Sequence, residues 1–315
     1  MELILFLFLA GLTVFLSFRL SYYADLLNKT TNISGVFIGG ILLAGITSLP
    51  ELVTCLSSIF LNNPYLAIGD ILGSNFFNIA MMCFFDILFI KTMFYNYTKN
   101  RYYLIYVLLI LNYLIMYLFM GGTFNLEIFN IGLPSFIIII TYIFYLKNAK
   151  EEETKKEVIT TKEYVLLKFF LVGLFMVIVS ILLTLVVNLI AGKNPNVASS
   201  FIGAILLGIT TSMPEVTTFI ALVKMKSFDL ALSDIIGSNL FNLLILAIGD
   251  IFLKNKEIYY FVDKESMFLL IFGLILTILS FYQNNRKVVK NKLIYIVPSL
   301  IGVLLYIYYI VINVG

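Results

Sequence analysis

Two glutamates, Glu51 and Glu215, each follow a proline directly, and each proline stands just after a Thr-Ser pair. Phe37 to Glu51 reads FIGGILLAGITSLPE, and Phe201 to Glu215, 164 residues later, reads FIGAILLGITTSMPE. The same offset carries GDILGSNFFN (Gly69 to Asn78) onto SDIIGSNLFN (Ser233 to Asn242). Thr47, Ser48, Glu51, Ser74 and Asn78 are therefore matched by Thr211, Ser212, Glu215, Ser238 and Asn242. These side chains offer carboxylate, amide and hydroxyl oxygens, with no imidazole or thiolate among them. Such a set suits hard cations such as Ca²⁺ and Na⁺ and disfavours Zn²⁺ or Cu⁺. Mg²⁺ fits less well because it gives up its water reluctantly. Two ionised glutamates balance one Ca²⁺ or two Na⁺.

The local sequence predicts how these groups are presented. Pro50 cannot donate to the carbonyl of Ile46, and Pro214 frees that of Thr210 in the same way. A break is expected at each step, with Thr and Ser in the loosened stretch. Free carbonyls at membrane depth are tolerated only where protein or a wet cavity satisfies them. Ser74 and Asn78, like Ser238 and Asn242, are spaced i, i+4 and share a helix face. Asp70 and Asp234 lie on those same faces and have two readings: outer ligands that concentrate cations, or carboxylates of a first helical turn. Asp86 and Asp250 fall at the far ends of the same segments and read as interfacial. Gly39, Gly73, Gly203 and Gly237 read as close-packing positions.

The elements that must carry these groups are membrane helices. Hydrophobic residues make up 61% of the 315 and charged residues 12%. The chain is expected to be an all-α polytopic membrane protein. Its ten spans fall at about 2–24, 33–61, 65–90, 102–120, 126–146, 165–191, 197–223, 228–252, 265–282 and 293–313. The first lacks a basic leader and a small-residue cleavage site, so it reads as a retained helix. The second, if continuous, would run about 45 Å, longer than the hydrocarbon core. Helices two and seven are thus expected to be discontinuous. An acid at such depth is costly and usually serves an ion or proton path.

A mixed-charge linker, about 148–163, divides the chain into five spans (1–147) and five more (164–315). It is too short to hold a core. Sixteen Lys and Arg fall in loops on the linker side and four on the other. The linker is therefore expected in the cytoplasm and both termini outside a cell membrane. An odd number of spans separates the copies, so the two motifs face opposite ways. That describes inverted-topology repeats with a site near the midplane where they meet. The chain has no His, which removes the HExxH metalloproteases, His proton relays and any Ser-His-Asp triad. Cys55 and Cys83 lack metal-ligand spacing and read as packing residues.

The paired Thr-Ser-x-Pro-Glu steps with downstream Gly-Ser-Asn-x-Phe-Asn resemble the two α-repeats of the cation/calcium exchanger superfamily, in its sodium/calcium exchanger branch. The resemblance covers essentially the whole chain. It implies ion ligands at Thr47, Ser48, Glu51, Ser74 and Asn78, and at Thr211, Ser212, Glu215, Ser238 and Asn242. It further implies Na⁺/Ca²⁺ exchange by alternating access, the lipid bilayer and the two ions as partners, and no cofactor or nucleic acid. Three departures stand out. Ile46 and Thr210 occupy positions where that family usually has Gly. Asn242 stands where many relatives carry Asp, which weakens a case for K⁺ coupling. Asp70 and Asp234 replace Asn or another small polar group. The calcium/proton branch typically has Gly-Asn-x-x-Glu instead, and the short linker argues for constitutive transport.

Two other functions compete with Na⁺/Ca²⁺ exchange. Antiport of Ca²⁺ or another divalent against H⁺ would use the same glutamates as proton carriers. An intramembrane aspartyl protease would use Asp70 and Asp250, each of which follows Ala-Ile-Gly. The duplicated Pro-Glu steps have no place in a protease.

Overall fold

The computed structural model describes residues 2–90, 102–120, 124, 126–128, 130–149, 162–193, 210–253, 256–285 and 291–314. Phe201 to Ile209 of the second copy, Gly203 and nearly all of the linker lie outside the described residues. The protein is helical, and among the described residues six helices are long and apolar enough to cross a membrane. These are α1 (Glu2–Thr30), α5 (Pro64–Leu88), α8 (Lys162–Lys193), α10 (Phe228–Phe252), α11 (Lys264–Asn285) and α12 (Lys292–Val314). Two shorter apolar helices are α6 (Tyr103–Phe119) and α7 (Leu133–Asn148). One feature departs from an all-α chain: strands β1 (Glu127–Ile128) and β2 (Ile131–Gly132) pair antiparallel just before α7.

The expected break in the first copy is present. Short α2 (Gly35–Phe37), capped by Ser34, runs through a π-helical turn, Ile38–Leu43, into α3 (Ala44–Thr47). After Ser48 the chain restarts as α4 (Leu49–Phe60), bent by 45°. Pro50 sits in the first turn of α4, where a missing N–H costs nothing. In the second copy, α9 (Met213–Lys224) begins after Ser212, again with its proline in the first turn.

The two copies fold alike locally. Ser48 has φ −89°, ψ 7° and Ser212 has φ −82°, ψ 9°, the sparsely populated bridge region. Helices α4 and α9 also end alike, with Asn62 and Lys226 at φ 56° and 62°. Asn63 N–H bonds to Ser58 O at 2.8 Å, and Ser227 N–H bonds to Leu222 O at 2.9 Å. This is a left-handed helix stop. A lysine there gives no sequence signal for it.

The chain packs as two compact units. Unit 1 comprises Met1–Pro50, Ala149–Ser238 and Ile312–Gly315. Within it α1 packs along α8 and α9. Lipid tails are as apolar as leucine, so helices here associate through small residues and hydrogen bonds. A Cβ on Gly237 would lie 2.3 Å from the Gly40 carbonyl oxygen, and one on Gly39 would lie 2.1 Å from Ser233 Oγ. Both glycines are therefore close-packing positions, whereas Gly73 makes no close approach.

Unit 2 comprises Glu51–Asn148 and Asn239–Val311. Its α11 packs on α5 and α6. The Phe76 ring sits among Phe272, Tyr306 and Tyr309, 5.2 to 6.1 Å between centroids. Asp86 and Asp250, expected at the interface from their positions at helix ends, are buried in protein, 1% and 0% exposed. Asp86 accepts from Gln283, Tyr295 and Ser299. Asp250 accepts from the Ile258 and Gly132 backbone N–H groups and from Ser135. Each carboxylate ties together segments distant in sequence. Cys55 and Cys83 are buried free thiols, consistent with packing.

Candidate functional site

All ten matched residues are described, and all are buried. Thr47, Ser48, Glu51, Asn78, Thr211, Ser212, Glu215, Ser238 and Asn242 are 0% exposed and Ser74 is 2% exposed. Glu51 and Glu215 each occupy the first turn of a helix, where the backbone dipole favours negative charge. The broken helices therefore allow a buried acid by placing it at a helix start.

Unit 1 joins residues of both copies. Thr47 and Ser238 hydroxyls lie 3.3 Å apart, and Ser48 Oγ donates to Glu215 Oε1 at 3.1 Å. The second Glu215 oxygen, Oε2, has no hydrogen-bond partner. Asp234, 0% exposed, accepts from Thr218 Oγ1 at 2.8 Å through Oδ2, while its Oδ1 has none. The reading of Asp234 as a first-turn carboxylate fails, because α10 starts at Phe228 with Asp229 in that turn. Asp70 is likewise inside α5, which Asn63 caps by accepting from Leu66 N–H. Its side chain is partly exposed, with Oδ2 buried and without a partner.

Unit 2 holds a reciprocal lattice of four asparagines. Asn75 Nδ2 donates to Asn239 O at 3.0 Å, and Asn239 Nδ2 donates to Asn75 O at 2.9 Å. Asn78 Nδ2 donates to Asn239 Oδ1 at 3.1 Å, and Asn242 Nδ2 donates to Asn75 Oδ1 at 3.0 Å. The amide orientations of Asn78 and Asn242 are thereby fixed, and both Oδ1 atoms are left without partners. Ser74 Oγ is buried and without a partner as well. Buried polar atoms are normally satisfied, so such atoms grouped in one motif call for a ligand. Two amide oxygens held in place by the lattice, with a buried hydroxyl oxygen, are what a dehydrated hard cation binds.

Three participants escaped the sequence reading. Asn75 and Asn239 lie inside the quoted Gly-Ser-Asn step, so their identity in both copies was the available signal. Thr218 follows Glu215 by three residues as Thr54 follows Glu51, a match visible in the chain but not used.

The family profile for "sodium/calcium exchanger protein" matches residues 1–148 and 165–315. The chain belongs to the sodium/calcium exchanger family. It is similar to the inner membrane protein YrbG of Escherichia coli strain K12, with 27% identity over 252 residues covering 75% of this chain and 74% of that protein. It is also 27% identical, over 74% of its length and 75% of the relative's, to the putative antiporter CaxA of Alkalimonas amylolytica. Structures of the sodium-calcium exchanger NCX_Mj share its fold. One soaked with 100 mM Na⁺ and 10 mM Sr²⁺ gives a TM-score of 0.76 at 21% identity, covering 99% of both chains. Another, soaked with 2.5 mM Na⁺ and 0.1 mM Ca²⁺, gives 0.74 at 21% identity over 98% of this chain and 96% of that one. The sodium/calcium exchanger family is a family of polytopic membrane transporters, not enzymes, so the protease reading falls away. Membership and an antiporter-named relative support cation antiport.

Proposed function

We propose that this exchanger-family chain carries Ca²⁺ out of or into the cell against Na⁺, by alternating access. Glu51 and Glu215 supply the compensating charge. Thr47, Ser48, Ser74, Asn78, Thr211, Ser212, Ser238 and Asn242 supply neutral oxygen ligands. The observation that carries this reading is the pair of unpartnered amide oxygens on Asn78 and Asn242, fixed by the reciprocal asparagine lattice. A structural role alone gives no reason to leave both acceptors empty in a buried, otherwise satisfied network.

The same reading makes the chain ten spans in two five-helix repeats of inverted topology, 1–147 and 164–315, with spans two and seven broken. Six long helices, the bent α2–α4 pair and the shorter α6, α7 and α9 support that reading. The similar backbone angles of Ser48 and Ser212 support the duplication. The distribution of Lys and Arg places the 148–163 linker in the cytoplasm and both termini outside.

The test is Ca²⁺ uptake into proteoliposomes with Na⁺, K⁺ and H⁺ gradients imposed one at a time. Uptake driven by outward-directed Na⁺ alone is expected. Flux that follows a pH gradient and ignores Na⁺ would make the chain a divalent cation/proton antiporter instead.

A further inference from the structure

Unit 2 holds a buried carboxyl group that the matched motifs do not use. Glu257 lies between α10 and α11, precedes a 3-10 turn, Ile258–Tyr260, and is 3% exposed. Its Oε2 is buried and has no hydrogen-bond partner. A Cβ on Gly132 would lie 2.5 Å from that oxygen and 2.8 Å from the Tyr259 ring. The carboxyl therefore rests on the bare backbone of Gly132, the last residue of β2. No other residue type leaves that slot open.

Asp250 is bound at the same glycine. It accepts from Gly132 N–H at 2.8 Å, Ser135 Oγ at 2.7 Å and Ile258 N–H at 2.6 Å. Ser135 spends its one proton on Asp250, so Tyr259 donates to Ser135 at 3.0 Å. Three donors thus go to Asp250 and none to Glu257 Oε2. The other titratable groups facing Glu257 are Glu127, opposite Gly132 in the hairpin, and Tyr259 of its own turn. Lys256 is turned onto the Tyr260 ring, 3.5 Å from its centroid. Helices α6 and α7 add only tyrosines and, at the far end of α7, Lys147. Among the described residues the one ion pair is Lys29 with Asp25, and no three acids converge as metal ligands would.

A charge on Glu257 Oε2 would be buried with neither a donor nor a basic partner, beside two other acids. A proton removes that cost; ionisation drives the side chain out toward water.

We propose that Glu257 is a proton-operated latch, closing the α10–α11 loop onto the β-hairpin as the neutral acid and releasing it as the carboxylate. Burial, with the nearby charges of Asp250 and Glu127, pushes its carboxyl up to about 7, so the latch works near neutral pH. Release uncovers Gly132 and loosens a contact that ties the end of α10 to the hairpin. The latch is independent of which ions the chain exchanges.

The test is the mobility of a spin label at Leu126→Cys in the full-length purified protein, followed from about pH 5 to about pH 9. Leu126 is exposed beside the hairpin, and the native thiols Cys55 and Cys83 are buried. The label is expected to gain mobility with a midpoint at about pH 7. Glu257→Gln, neutral at every pH, should stay immobile throughout. Gly132→Ala fills the slot and should give the mobile spectrum already at the acid end. Glu127→Gln removes one opposing charge and should lower the midpoint. An absent transition, or one that persists unchanged in Glu257→Gln, overturns the proposal. Should Glu257→Gln fail to fold, Glu127→Gln decides, and a midpoint that does not move overturns it.

Discussion

Asn75 and Asn239 donate their side-chain amides to each other's backbone carbonyls, at 3.0 and 2.9 Å, across a separation of 164 residues. That separation is the repeat offset itself. Each asparagine meets its own counterpart, and each Oδ1 then accepts from the asparagine three residues further along in the opposite copy. A motif read twice along the sequence becomes one object in the fold.

The lattice should behave cooperatively. Asn75→Ala removes one donor and one acceptor and leaves the Asn239 carbonyl and the Asn242 amide wanting partners. A loss of about 2–4 kcal/mol is expected. In a double-mutant cycle with Asn239→Ala, thermal unfolding in detergent should show coupling of about 1 kcal/mol or more. Simple additivity would mean that the four residues do not act together.

Neutralising either site glutamate should stop transport. On the proposed assignment, Glu51→Gln and Glu215→Gln each remove half of the charge that balances a divalent ion. Initial rates of ⁴⁵Ca²⁺ uptake are expected to fall by more than about 100-fold, the scale of losing a charge-assisted contact. Wild-type rates in Glu51→Gln would count heavily against the assignment.

Neutral ligands should matter less. Ser74→Ala deletes a buried oxygen that has no protein partner, so little stability should be lost with it. Apparent Ca²⁺ affinity is expected to weaken by about 3- to 30-fold, the cost of one neutral contact. A variant with unchanged affinity would remove Ser74 from the ligand set.

Gly237 should tolerate no side chain. In Gly237→Ala the new Cβ would lie 2.3 Å from the Gly40 carbonyl oxygen and 2.5 Å from its Cα. Both are backbone atoms and cannot swing aside. A cost of about 3 kcal/mol is expected from overpacking, read as a lower unfolding temperature and yield. Gly73→Ala, with only a 4.0 Å contact to Leu269, is the control.

Stability should fall as pH rises toward neutrality through Glu257, in the loop between α10 and α11. Burial pushes its carboxyl up to about 7, and the nearby charges of Asp250 and Glu127 add to this. The folded protein thus holds a proton that the unfolded chain has released, from the ordinary carboxylate range up to about 7. This contribution is full below that window and is lost as pH rises through it. Unfolding temperatures of wild type should drop between pH 5 and pH 8 by more than those of Glu257→Gln. Parallel profiles for the two proteins would rule this out.

The chain itself determined a great deal. Apolar runs set the helices, because a bilayer leaves backbone groups no partner but each other. Proline at positions 50 and 214 set the places where two of them restart, since the ring removes a donor and crowds the preceding turn. Repetition at one offset picked out the ten site candidates before any contact was known. Tertiary structure alone decided what those side chains touch. Asp86 and Asp250 sit at helix ends and read as interfacial, yet their donors arrive from elements as far off as Ser299 and Gly132. Asp234 has two readings in the sequence, an outer ligand or a first-turn carboxylate, and only the helix start at Phe228 removes the second. Helical spacing says which residues share a face. Which oxygen on that face is satisfied and which stays open depends on partners some 16 to 213 residues away, and only packing brings those within reach.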